Sequence, residues 1–175
     1  MPATDPIRAE MIALLPRLRA FARSLTRAQD TADDLVQATC EKALRNLGGF
    51  TPGTRLDAWL FRIMRNAWID TTRARRDHTA IDDLGEGLEP AGEDGRAVVM
   101  ARLELADVAR AVDALPEEQR SVLMLVCVEG MRYREAAEAL GIPEGTVMSR
   151  LARGRAALVQ MLDGNAARSV SGRTG

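Results

Sequence analysis

One histidine, two cysteines and a single lysine are scattered through 175 residues. His78 lies in a polar, acidic stretch, so the hydrolase, metalloenzyme and proton-shuttle schemes that lean on histidine have no foundation here. Cys40 and Cys127 stand alone, with no CxxC spacing and no histidine nearby. That argues against a zinc site or redox pair and for two buried, reduced thiols. Glycine-rich phosphate loops, nucleophile elbows and carboxylate pairs at useful spacing are also missing. An enzyme is therefore not expected, nor a metal or cofactor. No apolar run approaches the roughly 20 residues that span a bilayer, and Met1-Pro2-Ala3-Thr4-Asp5 lacks the basic start and apolar core of a signal peptide. The expectation is a soluble, cytoplasmic chain with no membrane insertion.

What is present is charge, and it is segregated. The formal net charge is only −1, which taken alone argues against nucleic acid. Residues 1–76 nevertheless hold 13 basic and 8 acidic side chains, residues 77–100 hold 1 and 7, and residues 101–175 hold 10 and 10. From Glu144 onward there are 5 arginines against 2 acids. Of 24 cationic residues only Lys42 is lysine. Arginine's planar fork suits phosphate and guanine, but a G+C-rich coding sequence gives the same bias and is the preferred explanation.

Apolar spacing indicates helices throughout. Ile12, Leu15, Leu18, Ala22 and Leu25 recur at steps of three and four, predicting a first helix from about Glu10 to Leu25. Asp30 is suited to cap a second helix, with Asp33 and Asp34 in its positive first turn. Leu35, Thr39, Ala43 and Leu47 mark its buried side before Gly48-Gly49. Asp33, Asp34 and Gln37 are left facing out. Thr54 and Asp57 have capping-box spacing ahead of a long third helix, patterned by Leu56, Trp59, Leu60, Ile63 and Ala67 and ending in the cationic Arg73-Ala74-Arg75-Arg76. Residues 77–100 combine five glycines and prolines with seven acids, the composition of a flexible linker. A second helical unit follows near Val98. Pro116 opens one of its helices with Glu117 and Glu118 in the first turn, Val122, Leu123, Leu125 and Val126 form a core face, and Gly130 ends the run.

The sharpest local signal is Tyr133 to Leu151. Ala136, Ala137 and Leu140 share a helical face, Gly141 suits the left-handed residue that ends a helix, and Pro143 suits the first turn of the next. Val147 and Leu151 can pack inward, leaving Ser149, Arg150, Arg153 and Arg155 on or near the opposite side. This is a helix-turn-helix whose second helix can enter a major groove. A plain helical hairpin with a solvated basic face is the alternative. Ala156, Ala157, Leu158 and Met161 continue a closing helix. The fold class expected is all-α: two small helical domains, 7–76 and 101–163, joined by an acidic linker at 77–100 and followed by a disordered tail at 164–175.

Several motifs occur in a telling order: Asp33-Asp34-Leu35-Val36-Gln37-Ala38-Thr39, Phe50-Thr51-Pro52-Gly53-Thr54, Trp59-Leu60-Phe61-Arg62-Ile63-Met64-Arg65-Asn66, the acidic linker, Leu115-Pro116-Glu117-Glu118-Gln119-Arg120 and Gly145-Thr146-Val147-Met148-Ser149-Arg150. Together they resemble a bacterial extracytoplasmic-function (ECF) sigma factor of the sigma-70 family, in the minimal form with only the second and fourth conserved regions. The resemblance covers about residues 7–163. It implies binding to core RNA polymerase and recognition of promoter DNA, with an anti-sigma factor as a further partner. By that similarity Asp33, Asp34, Leu35 and Gln37 contact the polymerase. An exposed acidic helix start offers partners to a basic surface, although plain capping also accounts for the two aspartates.

The resemblance further places the minus-ten element against Arg62 through Arg76. Asn66 is the candidate for an extruded base, since an amide offers donor and acceptor, with Arg62, Arg65, Arg73, Arg75 and Arg76 on the strand. Trp59 reads as core, and Trp68 as either core or a stacking platform. The minus-thirty-five element falls to the helix carrying Thr146, Met148, Ser149, Arg150, Arg153 and Arg155. Many relatives carry a basic residue where this chain has Met148, so a contact there is lost or becomes apolar, for instance to a thymine methyl. The linker's 24 residues reach at most about 80 Å, enough for two elements a couple of helical turns of about 34 Å apart. Its negative charge fits a positive polymerase channel or a simple solvated tether. Two rival functions stay open: a stand-alone helix-turn-helix regulator that binds an intact operator unaided, and a sigma-like decoy that titrates an anti-sigma factor.

Overall fold

The computed structural model describes residues 6–78 and 96–171, with side chains over 6–74 and 105–164. Among these residues the secondary structure is helical, in the order α1 (Pro6–Thr26), α2 (Gln29–Arg45), a short 3-10 turn (Leu47–Gly49), α3 (Leu56–His78), α4 (Arg96–Ala114), α5 (Glu117–Leu123), α6 (Tyr133–Leu140) and α7 (Glu144–Ser171). Helices α1 to α3 pack on one another as one unit, α4 to α7 as a second, and α1 and α3 also touch the second unit through α5 and α6.

The first unit is held by an apolar seam. Leu18, Phe21, Ala22 and Leu25 of α1 meet Leu35 and Val36 of α2 and Leu56, Leu60, Phe61 and Met64 of α3. Phe21 and Phe61 pack edge to face, centroids 5.0 Å apart, a geometry that sets one ring's positive edge against the other's negative face. Met11 and Leu14 carry the seam to the start of α1, and Ile12, expected on it, is 63% exposed. A strict 3.6-residue repeat places the stripe one or two positions from where Ile12 had suggested.

Helix starts differ from expectation. Ala28 precedes α2 without a side-chain cap, and Asp30 lies inside the first turn. Thr54 Oγ donates to the Thr51 carbonyl, while Asp57 turns to Arg55 and Arg17 instead of completing a box with Thr54. Trp59 is core, as expected.

In the second unit α5 widens after Leu123 into a π-type turn over Met124–Val128, closed by Glu129 N donating to the Met124 carbonyl at 3.0 Å. That turn leaves Cys127 exposed, correcting the expectation of a buried thiol. Cys40 is half-buried, and burial pushes its thiol pKa up. Gly141 ends α6 at φ +64, as its sequence position implied. The Ile142 amide then donates back to the Ala137 carbonyl, so the sharp reversal is fixed by hydrogen bonds as well as by glycine's freedom.

Two expected boundaries move. α4 begins at Arg96 and α7 runs on to Ser171, so parts of the linker and tail ranges are helical. Val98, Val99 and Met100 extend the apolar pattern of α4 backward, and Ala166 and Ala167 favour helix beyond Gly164. The remainder of the acidic linker, 79–95, lies outside the described residues, as do residues 172–175.

Candidate nucleic-acid and polymerase interfaces

Helix α7 carries the candidate duplex-reading face. Val147 and Leu151 are buried beneath it, and the Thr146 and Val147 amides donate to the Pro143 carbonyl, which fixes the first turn. Gly145, Met148, Ser149, Ala152 and Arg153 are then exposed along one side. Met148 is 52% exposed, and Thr146 is half-buried at the margin. Arg153 Nε donates to the Ser149 carbonyl at 3.3 Å, and its exposed side chain retains further donors for an outside acceptor. Arg150 is held differently: its guanidinium pairs with Glu118 at 2.9 Å and is only 19% exposed. Arg155 donates to Cys127 Sγ at 3.4 Å. Gly154 packs against α5, where a Cβ would lie 3.4 Å from Gln119 Cβ.

Helix α3 divides the candidate minus-ten residues between two faces. Arg62, Asn66 and Arg73 fall within about 40° of one another around the helix axis, and all three are exposed. Asn66 opens onto a shallow depression shared with Lys42, Arg45 and Asn46, which gives this stripe a cationic border. Arg65 lies roughly 60–100° and Trp68 roughly 120–160° from them around the axis, toward the second unit. There Trp68 Nε1 donates to Glu117 at 3.1 Å, and Arg65 pairs with the other oxygen of the same carboxylate at 3.7 Å. Trp68 is 9% exposed. Arg65 Nε is buried without a hydrogen-bond partner, a deficit that costs about 1–3 kcal/mol. Arg75 and Arg76 lie on the last turn of α3, but their side chains fall outside the described residues.

On α2, Asp33, Asp34 and Gln37 are exposed. Asp33 lies 3.8 Å from Arg19, Gln37 donates to Glu41 at 3.1 Å, and Asp34 has no side-chain partner among the described residues. Leu35 is buried in the core, so of the four it supports the surface from beneath. Arg19, Asp33, Val36, Gln37 and Cys40 border a groove between α1 and α2, which gives this polar face an apolar floor.

Sequence reading alone missed the polar seam between the units. Arg17 joins Asp57, at 2.8 Å, to Glu129, and Arg55 joins Asp57, at 2.8 Å, to Glu135, at 2.9 Å. Glu135 also accepts from the Arg132 amide at 2.8 Å, so it caps α6 while bridging the units. Burial pushes the Asp57 pKa up, but hydrogen bonds from Arg55, the Ala58 amide and Arg17 outweigh it and hold the carboxyl below its ordinary range. Arg120 is 1% exposed, and among the described residues it forms no salt bridge, although Asp113 and Glu117 act on it at longer range. Its guanidinium donates to the backbone carbonyls of Ser24 in the first unit and of Asp113 and Leu115 in the second. Burial lowers its pKa. Arg27, itself at φ +63, donates to the Leu115 carbonyl at 3.1 Å. Most of these partners are tens of residues apart, beyond the reach of any periodicity.

A three-helix unit with exposed arginines thus lies beside a helix-turn-helix unit, the architecture of a two-part transcription factor. Residues 11–78 match the family model for sigma-70 region 2, and residues 105–158 match that for sigma-70, region 4. The chain is 41% identical over 162 residues to the ECF RNA polymerase sigma factor EcfG of Rhodopseudomonas palustris (strain TIE-1), covering 93% of this chain and 88% of that protein. Its fold is similar to that of the sigma factor RpoE of Bartonella quintana, solved with the anti-sigma factor NepR. That likeness has a TM-score of 0.74 at 34% identity and covers 89% of this chain and 96% of the other. CnrH, solved with the cytosolic domain of CnrY, matches with a TM-score of 0.63 at 32% identity, covering 90% and 88%. The chain belongs to the ECF RNA polymerase sigma factors of the sigma-70 family.

Proposed function

We propose that this sigma factor works with a division of labour among three surfaces. The exposed α2 face of Asp33, Asp34 and Gln37 docks on core RNA polymerase. The α3 stripe of Arg62, Asn66 and Arg73, continued by Arg75 and Arg76, engages the minus-ten element. The α7 face of Met148, Ser149 and Arg153 reads the minus-thirty-five element. Region 2 then corresponds to about 7–76 and region 4 to about 101–163. The observation that carries the reading is the co-directional stripe on α3: three polar or cationic side chains at helical spacing, left open on a helix that buries Leu60, Phe61, Met64, Ala67 and Trp68 elsewhere. An exposed amide between two guanidiniums suits a single strand, the arginines gripping phosphates and Asn66 offering donor and acceptor to a base edge. On α7, arginine at the margin and small side chains at the centre permit close approach to a major groove.

The chain acts in the cytoplasm, and among the described residues no helix is long and apolar enough to cross a membrane. Its partners are core RNA polymerase, promoter DNA and an anti-sigma factor that holds it inactive. This last partner follows from similarity to sigma factors solved with NepR and CnrY.

Site-specific photocrosslinking tests the assignment. Crosslinkers at positions 66 and 149, in holoenzyme on a promoter it transcribes, are expected to label DNA near the start site and about two helical turns further upstream, respectively. Labelling of one shared segment, or of protein alone, would overturn it.

A further inference from the structure

We propose that the Arg65 and Trp68 face of α3 is a second, reserved surface for single-stranded DNA, and that the Glu117 carboxylate occupies it as an internal stand-in for a backbone phosphate. The proposal rests on the assignment of α3 to the minus-ten strand and adds a part of that surface which is shut in this structure.

Glu117 meets both groups at once, accepting from Trp68 Nε1 at 3.1 Å and facing Arg65 at 3.7 Å. An anionic group with one oxygen on an indole N–H and another facing a guanidinium is an arrangement a phosphate would also adopt. The fit of the carboxylate is incomplete: it stays beyond hydrogen-bond distance of Arg65 and leaves Arg65 Nε buried with no partner. A phosphate offers more acceptor oxygens and can take two guanidinium N–H groups in parallel. The cradle therefore suits a larger anion than the one that fills it. Displacing Glu117 would also uncover the indole face for a base to stack upon.

The cover is removable. Beside an apolar core that the two units share, polar contacts also join them: Arg17 to Glu129, Arg55 to Glu135, Arg27 to the Leu115 carbonyl and Arg120 to the Ser24 carbonyl. Such groups can exchange protein partners for water when the units part, at less cost than an equal apolar area. Arg62, Asn66 and Arg73 remain open in the closed arrangement. The first-bound part of a strand thus has a landing site, and the reserved face becomes available once the second unit moves away.

The test uses the full chain, nitrogen-15 labelled, and a short fluorescein-labelled single-stranded DNA of random sequence. Glu117→Ala is compared with Asp163→Ala, which removes the same charge from an exposed position on α7. Glu117→Gln, which keeps the side chain's shape, repeats the test should alanine unsettle α5. The expected result is a shifted Trp68 indole N–H resonance and DNA affinity raised roughly three- to tenfold in the Glu117 variants alone. The affinity's salt dependence should steepen by about 0.7 in log–log slope for one added phosphate contact. An unshifted indole resonance would mean that the Glu117 contact does not form in solution and would overturn the inference. A shifted resonance with unchanged DNA binding would overturn the stand-in, whereas wild-type DNA binding that Arg62→Ala leaves unchanged would overturn the α3 assignment on which it rests. Equal gains in the Asp163 variant would reduce the effect to net charge and refute the stand-in.

Discussion

Replacing Asp57 with asparagine should loosen the polar seam between the two units. The carboxylate accepts from Arg55 at 3.0 and 2.8 Å, from Arg17 at 2.8 Å and from the Ala58 amide at 2.8 Å, and its side chain is 11% exposed. Hydrogen bonds to a charged group contribute about 1.5–3 kcal/mol each, but the two arginines are each 38% exposed, so solvent screens much of the attraction. Asparagine also retains one weak acceptor. A net loss of about 2 kcal/mol remains, equivalent to a fall in Tm of about 4–8 °C for a chain of this length. Thermal melts followed by circular dichroism at neutral pH would measure it. The pH dependence has a definite sign. Because the folded carboxyl titrates below its ordinary value of 3.8, its contribution is complete well above that value and is lost as pH falls through the lower, folded pKa. Wild type and Asp57→Asn should therefore differ at pH 7 and converge in strong acid. A difference under about 0.5 kcal/mol at pH 7, or one that widens on acidification, would refute the role given to Asp57.

Other substitutions probe the separate surfaces. Arg153→Ala should weaken promoter binding by the holoenzyme by about 1–3 kcal/mol in a filter or mobility assay and leave affinity for core polymerase unchanged; equal loss of both would contradict a DNA role. Asp34→Arg should reduce assembly with core polymerase in a competition assay without altering the melt, since Asp34 is exposed and has no side-chain partner among the described residues, and unchanged assembly would remove it from the interface. Gly141→Ala, at φ +64, should destabilise the chain by about 1–2 kcal/mol despite the open space around it, as read from urea unfolding.

Local chemistry was legible in the chain, and long-range pairing was not. Gly141, Val147 and Leu151 announced the helix-turn-helix because glycine's backbone freedom and a four-residue apolar step are local signals. The same holds for Trp59 and Ala43 in the first core. Thr54 and Asp57 have the spacing of a capping box, yet Asp57 is claimed by two arginines, one of them 40 residues away. Cys127 looked like an ordinary buried thiol until the π-type turn after α5 rotated it outward. The cationic residues of α3 could be recognised as a set, but their division depends on where α5 docks. Arg65 and Trp68 are covered and Arg62, Asn66 and Arg73 are open for that reason alone. Arg150 was expected among the groups reaching toward DNA, and the structure ties it to Glu118 across the α5 and α7 packing.

The central claim is most directly tested by in vitro transcription with purified core RNA polymerase on genomic fragments, with and without this protein, mapping the 5′ ends of the transcripts. The account predicts discrete new start sites that appear only with the protein and share two upstream elements at fixed spacing. Active polymerase and folded protein that yield no new starts would contradict it.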